Sequence, residues 1–465
     1  MTSLQTGINR AKMIDPVTGL LNQSALVSRL EQLLSQERSD SPFALLLIHI
    51  GNLQSMVDGF SDLIVDEVSK KLSSRLQESI GALPDSCLAA RIGSDKFAVL
   101  LLEHAEEGPA VELAAQIQKE IELPFEWRNH RISMRISIGI RIGAGHNGRA
   151  EDVFWDADTA LSQAIKLGKT RRIVYRPDMR KRAIARLALE SELRQAIEQH
   201  NFILHYQPKV TLRSRKLAGF EALVRWNHPQ HGLIAPSEFI PVAEETGLIV
   251  RLGEWVLDEA CCQMSAWRQA SQAAALNMSV NLSSQQLVQE NLVEHVRYCL
   301  RKHSIAAEAL HLEITETSVM ENMALVLETM KGLRDLKVNL CIDDFGTGHS
   351  SLGYLHQFPF KTLKIDRSFV ANMKRKGTLA IIRAILKLSH ALGISVVAEG
   401  IETPEQANQL EHLGCDYGQG YFFSKPVEAS AATAMIPAGK LPIVAQSQSK
   451  IARFGTCLSP NPAAC

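Results

Sequence analysis

Apolar residues in the first part of the chain recur at two spacings, one typical of helices and one typical of strands. The helical spacing predicts helices over 22–35, 60–80, 109–122 and 151–167. Short or alternating apolar runs predict strands over 43–50, 88–92, 97–102, 131–142 and 172–176. After a short polar segment at 1–14, residues 15–177 are therefore predicted to form an α+β domain, with a central mixed sheet and a core of its own.

The pattern changes after residue 177. Residues 178–200 contain no Gly or Pro and are rich in Arg, Ala, Glu and Leu, which predicts a continuous linker helix. From residue 201 onward, strands alternate with helices. Strands are predicted at 202–209, 217–226, 278–282, 310–314, 338–343, 362–366, 394–398 and 419–423. Helices are predicted at 237–246, 253–270, 284–302, 320–335, 377–392 and 404–412.

Eight strands with intervening helices over 201–436 predict a (β/α)8-like barrel, so that the whole chain belongs to the α/β class. Only a short turn at 213–216 joins the first two strands, and we therefore expect the first strand to be antiparallel. Residues 437–465 are rich in Pro, Ser and Ala, which predicts a disordered tail.

Composition and charge narrow the range of partners. Lys plus Arg and Asp plus Glu both number 50, so the formal net charge is zero and no overall field attracts a nucleic-acid polymer. A phosphate-bearing ligand must instead be held locally, by a metal or a few cations. The chain shows no apolar run of membrane-spanning length, no signal segment and no CxxC pair among its eight cysteines. These features predict a cytoplasmic protein with reduced thiols and no integral membrane segment.

Polar side chains collect at the C-terminal ends of the predicted barrel strands, where barrel enzymes carry their active sites. They are Glu221, Arg225, Asn281, Glu313, Glu316, Asp343, Asp344, Lys364, Asp366, Glu399, Glu402 and Gln419. Each one alone is more often a surface acid, a salt-bridged lysine or a turn cap. Converging carboxylates resist ionisation unless a cation neutralises them, and oxygen ligands favour Mg²⁺ or Mn²⁺ over zinc. The shared position at one rim therefore favours a two-metal site for phosphodiester cleavage.

The motifs that carry these residues resemble the EAL family of cyclic di-GMP phosphodiesterases. The name-giving motif is Glu221-Ala222-Leu223. The other matches over about 200–426 are Tyr206-Gln207-Pro208, Val280-Asn281-Leu282-Ser283, Leu312-Glu313-Ile314-Thr315-Glu316, Asp343-Asp344-Phe345-Gly346-Thr347-Gly348, Leu363-Lys364-Ile365-Asp366, Ala398-Glu399-Gly400-Ile401-Glu402 and Gly418-Gln419-Gly420-Tyr421. The resemblance implies hydrolysis of cyclic di-GMP to linear pGpG by a homodimer with two Mg²⁺ or Mn²⁺ ions, and inhibition by Ca²⁺.

The resemblance also implies roles for individual residues. The metal ligands would be Glu221, Asn281, Glu313, Asp343 and, at the second ion, Asp344. Lys364 and Glu399 would position or activate the attacking water, with Glu221 also essential for catalysis. Glu316 would anchor the loop after Asp344. The substrate would be contacted by Gln207, Leu223, Arg225 and Gln419, the last also completing the surroundings of the second metal.

Two features bear on whether this half is an active enzyme. His349 stands where the family commonly has Tyr, in a loop that couples dimerisation to metal binding in that family, so this departure bears on how the activity is tuned more than on whether the domain is active. The alternative from a different class is a receptor that binds cyclic di-GMP without cleaving it. Such receptors usually lack some metal ligands, whereas none is missing here.

The N-terminal half resembles the GGDEF domain, the diguanylate cyclase fold. The matching segments are Asp15-Pro16-Val17-Thr18-Gly19-Leu20-Leu21-Asn22, Ser137-Ile138-Gly139-Ile140, Ala157-Asp158-Thr159-Ala160 through Gly168, and Tyr175. The signature hairpin reads Gly93-Ser94-Asp95-Lys96-Phe97. Asp66, one of two positions that read guanine in the family, is present.

Several cyclase positions are altered. His49 replaces a metal-binding Asp, Lys96 replaces a Glu linked to metal and catalysis, and Ser94 interrupts the signature. Val57 replaces a guanine-reading Asn and Ile165 replaces a phosphate-binding Lys, while Pro84 and Cys87 occupy the ends of the family's inhibitory Arg-x-x-Asp site. A diguanylate cyclase must bind two metal ions together with a triphosphate. The N-terminal domain, with these ligands altered, is therefore predicted to have no cyclase activity. Two roles remain open: a folded spacer or protein-contact module, which is slightly favoured, and a regulatory module with weakened GTP binding.

Overall fold

The computed structural model describes residues 13–35, 42–51, 62–81, 86–127, 130–144, 148–168, 171–270, 276–321, 323–346 and 358–438. The chain divides into two compact units between Leu187 and Ala188. This division falls within the helix Pro177–Glu198, at the place where the sequence predicts a linker helix. Val57, Pro84, His349 and the predicted tail from 439 onward lie outside the described residues.

The first unit is built on a six-stranded sheet. Its strands are β1 Leu21–Asn22, β2 Pro42–Gly51, β3 Cys87–Arg91, β4 Lys96–Leu101, β7 Arg135–Ala144 and β8 Arg172–Val174, in the spatial order β1-β3-β4-β2-β7-β8. A separate hairpin, which the sequence does not predict, pairs β5 Phe125–Trp127 with β6 His130–Ile132. The helices are Gln23–Leu34, Asp62–Ile80, Glu107–Glu122 and Ala150–Lys166.

Alternation along β2 distributes its apolar residues to both faces of this sheet. Leu46 and Ile48 belong to one buried cluster, which includes residues of Asp62–Ile80 and Glu107–Glu122. Leu45 and Leu47 belong to the other, which includes residues of Gln23–Leu34 and Ala150–Lys166. Since both faces are covered by helices, the mixed α+β architecture predicted for this unit is confirmed.

The second unit is a closed barrel of eight strands. They are β9 Phe202–Thr211, β10 Leu217–His228, β12 Asn277–Leu282, β13 Leu310–Thr315, β14 Asn339–Phe345, β15 Phe360–Ile365, β16 Ser395–Ala398 and β17 Tyr417–Gly418. Strand β9 is antiparallel to both of its neighbours, β10 and β17, and it closes the barrel. The prediction of a (β/α)8-like barrel with an antiparallel first strand is therefore confirmed.

Helices cover the barrel. Their bounds are Pro236–Glu245, Ile249–Ala270, Ser284–Leu287, Leu292–Lys302, Glu316–Glu321, Met323–Asp335, Arg367–Ala371, Lys376–Ala391, Pro404–His412 and Ala429–Ala438, with a 3-10 turn at Ala307–Ala309. Capping boxes begin two of them, at Ser283 with Gln286 and at Thr403 with Gln406. Among the described residues, no helix combines the length and apolar character needed to cross a membrane.

Several details of the barrel unit differ from the predicted elements. The helix predicted over 284–302 is two helices, Ser284–Leu287 and Leu292–Lys302, separated by a turn. The last strand is only Tyr417–Gly418, not 419–423, because residues 421–423 turn away after Gly420. A short strand β11, Gly232–Ile234, pairs with the end of β10 and was not predicted. The helix Ala429–Ala438 extends two residues into the segment predicted to be a disordered tail.

Strand alternation separates two environments in the barrel. Leu312, Ile342 and Leu363 are fully buried in the apolar core that includes residues of the surrounding helices. The alternate positions, among them Glu313 and Lys364, are polar and equally buried. Barrel interiors are usually filled by Val, Ile and Leu, so a polar interior points to chemistry at this place.

Candidate active site

Four acidic side chains, each from a different strand or the residue after it, meet around the ammonium of Lys364, which is 1% exposed. Its Nζ lies 2.5 Å from Glu313 Oε2, 2.6 Å from Glu399 Oε1 and 3.1 Å from Asp343 Oδ2. Glu221 Oε2 is 3.6 Å away. The predicted convergence of acids from separate strands is therefore present, with a lysine at its centre.

Glu221 is held by two amide groups. Asn281 Nδ2 donates to Glu221 Oε1 at 2.8 Å, and Gln419 Nε2 donates to Glu221 Oε2 at 2.6 Å. The amide of Gln419 also lies 3.0 Å from Gln207 Oε1, and Gln207 Nε2 donates to the carbonyl of Ser424 at 3.1 Å. This network fixes the Glu221 carboxylate and leads directly to a residue predicted to contact substrate.

Asp344 extends the acidic cluster beyond Lys364. Carboxylate oxygens of Asp343, Asp344 and Glu399 lie within 4.8 Å of one another, close enough to hold one metal ion. Asp344 has φ 53°, a left-handed conformation that is uncommon for Asp, and its N–H donates to Asp343 Oδ1 at 2.8 Å. Two residues later, the N–H of Gly346 donates to Glu316 Oε2 at 3.1 Å, where the loop anchor was predicted.

The chain turns sharply after Glu399. Gly400 has φ +65°, and a Cβ at this position would lie 2.5 Å from Cβ of Arg367. Only glycine fits this close approach without moving Arg367. Glu399 therefore lies at the rim of the barrel, and Gly400 allows the backbone to turn away directly after it.

The acids differ in their tendency to ionise. Burial raises the pKa of Glu313 to about 7, although Lys364 pulls it downward. Burial also raises the pKa of Glu399 well above its usual range, and burial and the charge of Asp343 raise the pKa of Asp344. For Glu221 burial is opposed by Lys364 and by the bonds from Asn281 and Gln419, so its pKa is lowered.

The balance of charge favours a divalent cation. Four carboxyl groups, of Glu221, Glu313, Asp343 and Glu399, contact Lys364, and a fifth, of Asp344, lies close to Asp343 and Glu399. Burial alone would lower the pKa of Lys364, but these acids raise it well above its ordinary value. Protons or metal ions must neutralise the remaining negative charge, and carboxylate oxygens of this kind suit Mg²⁺ or Mn²⁺. The donor set therefore fits the predicted metals.

An open cavity of about 260 Å³ lies above the acids. Its lining includes the predicted residues Gln207, Glu221, Leu223, Asp343, Lys364, Glu399 and Gln419. It also includes Glu402, one of the polar residues predicted at this rim, together with Arg367 and Tyr421, for which the sequence predicts no role. Arg367 lies two residues after the end of the strand that carries Lys364, at the start of the next helix, and this position near a strand end could have identified it.

Other predicted residues lie outside the lining of this cavity. Arg225 is half-buried and its guanidinium donates to the carbonyl of Val224 at 2.8 Å. Asn281 contributes instead to a neighbouring, largely apolar cavity of about 280 Å³. Glu313 is 2% exposed, behind Lys364. A ligand in the cavity would therefore face Gln207 and Leu223, with Arg225 beside them rather than among the lining groups.

Two of the altered cyclase positions contact acids within the first unit. His49 Nε2 lies 3.3 Å from Asp95 Oδ2, and Lys96 Nζ lies 3.0 Å from Asp158 Oδ1. The basic side chains predicted to replace metal-linked acids thus contact two acids of the same unit. Ser94 lies in the β3–β4 turn, and Ile165 is 41% exposed near the end of Ala150–Lys166.

Both units match known families. Residues 190–426 match the EAL domain, and residues 12–171 match the family described as diguanylate cyclase, GGDEF domain. The chain is 38% identical over 430 residues to the bifunctional diguanylate cyclase/cyclic di-GMP phosphodiesterase MucR of Pseudomonas aeruginosa, covering 91% of this chain and 61% of MucR. It is 31% identical over 418 residues to the cyclic di-GMP phosphodiesterase PdeR of Escherichia coli, covering 90% of this chain and 62% of PdeR.

Solved structures show the same architecture. The PaMucR phosphodiesterase in complex with c-di-GMP is 45% identical with a TM-score of 0.51, and the match covers 53% of this chain and 99% of that one. A Vibrio cholerae LapD structure with S helix, GGDEF and EAL segments covers 90% of this chain and 98% of its own, with a TM-score of 0.54. At 18% identity, LapD supports the fold alone.

Proposed function

The chain belongs to the family in which a GGDEF domain precedes an EAL domain, and from this premise we propose that it hydrolyses cyclic di-GMP to linear pGpG. The supporting observation is the group of acids around Lys364, which includes Glu221, Glu313 and Asp343, with Asn281 bonded to Glu221. Relatives named as cyclic di-GMP phosphodiesterases share this half of the chain. We assign the GGDEF domain to 15–177, the helical linker to 178–200 and the EAL domain to 201–436.

Five residues would hold the metal ions. These are Glu221, Asn281, Glu313, Asp343 and Asp344, and Glu399 is near enough to Asp343 and Asp344 to join them. Bound Mg²⁺ or Mn²⁺ ions would lower the pKa of water and stabilise the negative charge that develops on the phosphate. Ca²⁺, which prefers more ligands at longer distances, would bind without supporting the reaction.

Lys364 and Glu399 would prepare the attacking water. Their contact of 2.6 Å fixes the Glu399 carboxylate at the edge of the cavity. Because burial raises the pKa of Glu399, its ionised form is a stronger base than an exposed Glu and is suited to accept a proton from water. Lys364 would hold this carboxylate and those of Glu313 and Asp343 in place as the proton moves.

The substrate would occupy the 260 Å³ cavity. Gln207, Leu223 and Gln419 line it and would contact cyclic di-GMP, with Arg225 adjacent. Among the described lining residues, Arg367 and Lys364 are the two cations, and Lys364 is committed to the acids. The phosphates of a dianionic substrate would therefore depend largely on the metals and on Arg367.

We infer that the GGDEF domain does not synthesise cyclic di-GMP. A cyclase needs acids to bind its metals, whereas His49 and Lys96 place basic groups there and pair with Asp95 and Asp158. The domain would then serve as a folded spacer or protein contact within a cytoplasmic homodimer. A regulatory role with weak GTP binding is the alternative.

Chromatography of the reaction products tests the proposed hydrolysis. The purified chain is incubated with cyclic di-GMP and Mg²⁺, and we expect accumulation of linear pGpG. Glu221→Ala should reduce turnover by ~10²-fold or more, because substitution of a residue that only hydrogen-bonds to a metal ligand already lowers activity or metal affinity by about 10–100-fold. Glu294→Ala, which changes an exposed acid, is the matched control. Tight binding of cyclic di-GMP with no product from the unaltered chain would identify a receptor instead.

A further inference from the structure

The layer of side chains directly beneath the acids contains one charged group among the residues that the structure describes. Side chains alternate along a strand, so the residue two positions from each site residue, toward the floor of the barrel, also points to the interior. The floor is the end of the barrel opposite the acids. The layer consists of Lys209, Gly219, Ser279, His311, Cys341, Thr362, Val397 and Tyr417. Barrel layers are usually filled by Val, Ile and Leu, so the lysine calls for an explanation.

Lys209 is held in this layer, outside the lining of the 260 Å³ cavity. It is 3% exposed, and its Nζ donates to Ser279 Oγ at 3.0 Å. It lines a separate cavity on the floor side, together with Asn277 and Lys361. Within the described part of the chain, no carboxylate lies within 4.0 Å of this ammonium. A buried ammonium is costly unless negative charge lies nearby.

The acids above Lys209 supply this negative charge. Ser279, which fixes the ammonium, pairs in register with Glu221 on the neighbouring strand. Burial raises the pKa of Glu313 to about 7, and the charges of Lys364 and, more weakly, Lys209 oppose this rise. At Glu221 burial is opposed by Lys364, by two amide bonds and by Lys209, and the pKa is lowered. The two acids therefore lie between two ammonium groups, Lys364 in their own layer and Lys209 beneath them.

His311 adds no second charge to the layer. Burial and then the charge of Lys209 lower its pKa to about 3, so the ring is uncharged at neutral pH. Its Nε2 lies 3.2 Å from Nδ2 of Asn339, which is also neutral. The fixed charge beneath the acids is therefore that of Lys209.

A count of charges shows where this ammonium matters. The five carboxylates of the site, when ionised, and Lys364 leave four negative charges, which two divalent ions would balance. Cyclic di-GMP has two phosphodiester groups and adds two negative charges to a buried site, where charge interactions are stronger than in water. Lys209 offsets one of them. Because the same charge repels the metal ions, its effects on metal and on substrate have opposite signs.

We propose that Lys209 is a positioning residue of the active site, a fixed charge that acts through Glu221 and Glu313. It opposes metal binding and favours the binding and reaction of the dianionic substrate. The second effect rests on the proposed hydrolysis of cyclic di-GMP. The first exists whether or not the chain cleaves this substrate, so the two can be tested separately.

Titration of Mn²⁺ into the full chain, followed by electron paramagnetic resonance under nitrogen at pH 8.5, tests the effect on metal. At this pH protons compete less with the metal for the acids. Lys209→Met should bind Mn²⁺ about tenfold more tightly than the unaltered chain, because a repelling charge is removed. Lys361→Met removes the same charge from an exposed position nearer the floor and should bind Mn²⁺ as the unaltered chain does. A merely structural role for Lys209 predicts unchanged or weaker binding in Lys209→Met.

Initial rates at saturating Mg²⁺ test the effect on substrate. Lys209→Met should lower kcat/KM for cyclic di-GMP about tenfold, although it binds metal more tightly. Lys209→Arg restores the charge and should bring both quantities back toward those of the unaltered chain. If Lys209→Met does not fold, Lys209→Gln, which can keep the bond to Ser279, provides the same comparison.

The two measurements separate failure of this inference from failure of the proposed function. If the unaltered chain does not hydrolyse cyclic di-GMP, the proposed function fails, while the Mn²⁺ curves still decide whether the charge of Lys209 reaches the metals. Mn²⁺ affinity that is unchanged or weaker in the neutral variants of Lys209 would overturn the inference. Equal tightening in Lys361→Met would also overturn it, since the effect would then belong to net charge and not to the position of Lys209.

Discussion

The Nζ of Lys364 lies 2.6 Å from Oε1 of Glu399, so a buried lysine holds the acid that we propose as the acceptor of the water proton. The same ammonium contacts Glu313 and Asp343. Lys364 therefore partly neutralises the acids before any metal binds. It also remains buried beneath the position where the metals and substrate would meet.

The first prediction concerns the stability of the metal-free protein. Lys364→Met should lower the free energy of unfolding by ~3 kcal/mol at pH 8, because it leaves several buried carboxylates without their counter-ion. Mg²⁺ should restore much of this loss by neutralising the same acids. Urea unfolding with and without Mg²⁺ measures both effects, and Lys387→Met, at an exposed position, is the control. Equal stability of the two variants in EDTA would contradict this role of Lys364.

The second prediction is a pH-dependent effect of Mg²⁺. Burial raises the pKa of Glu313 to about 7, above its unfolded value near 4.5. Its contribution to stability is therefore fully present below pH 4.5 and is lost as the pH rises through about 7. Mg²⁺ needs ionised carboxylates, so its stabilising effect should be greater at pH 8 than at pH 5, by on the order of 2 kcal/mol.

Urea unfolding at the two pH values measures this difference. Glu313→Gln cannot ionise and should reduce this difference, while Glu399 and Asp344, whose pKa values are also raised, account for the remainder. If Mg²⁺ stabilises the unaltered protein equally at pH 5 and pH 8, the acids are not ionising with metal binding as we infer.

Much of the barrel could be predicted from the sequence because its strands are apolar runs interrupted by acids at corresponding ends. The inward direction of the Glu313 and Lys364 side chains could be predicted from strand alternation alone. Their contact of 2.5 Å could not, since it depends on how strands far apart in the chain align in the closed barrel. The final strand was predicted at 419–423 instead of Tyr417–Gly418. The apolar pattern continues through the turn after Gly420, although the residues of this turn do not pair with another strand.

Lys209 shows a different limit of sequence reasoning. It follows the Tyr206-Gln207-Pro208 motif and looks like an ordinary strand lysine. Its burial depends on the antiparallel direction of β9, which carries Lys209 toward the floor of the barrel while Gln207 remains at the mouth. Similarly, the contact between Lys96 and Asp158 joins residues 62 positions apart and has no local signal.

The third prediction concerns the GGDEF domain. With GTP and Mg²⁺, the chain should produce no cyclic di-GMP, because His49 and Lys96 occupy positions that need metal-binding acids. The assay must be made in the Glu221→Ala variant, since an active EAL domain would destroy the product. Chromatography that detects cyclic di-GMP accumulating in this variant would show an active cyclase.

The fourth prediction concerns Ca²⁺. Replacing Mg²⁺ by Ca²⁺ should reduce cyclic di-GMP hydrolysis by ~10-fold or more, because the larger ion does not maintain octahedral coordination. Adding Ca²⁺ to the Mg²⁺ enzyme should also inhibit, and excess Mg²⁺ should reverse the inhibition. Initial rates at fixed substrate measure both. Full activity in Ca²⁺ alone would contradict the proposed metal chemistry.

The most direct test of the account is titration of Mn²⁺, followed by electron paramagnetic resonance, into the unaltered chain and the Glu221→Ala variant. Both contain the same GGDEF domain, so the difference between the two curves reports on the acids around Lys364. We predict that the unaltered chain binds two more Mn²⁺ ions than the variant, or binds them at least ~10-fold more tightly. Superimposable curves would mean that these acids do not hold metal, and the proposed hydrolysis would lose its basis.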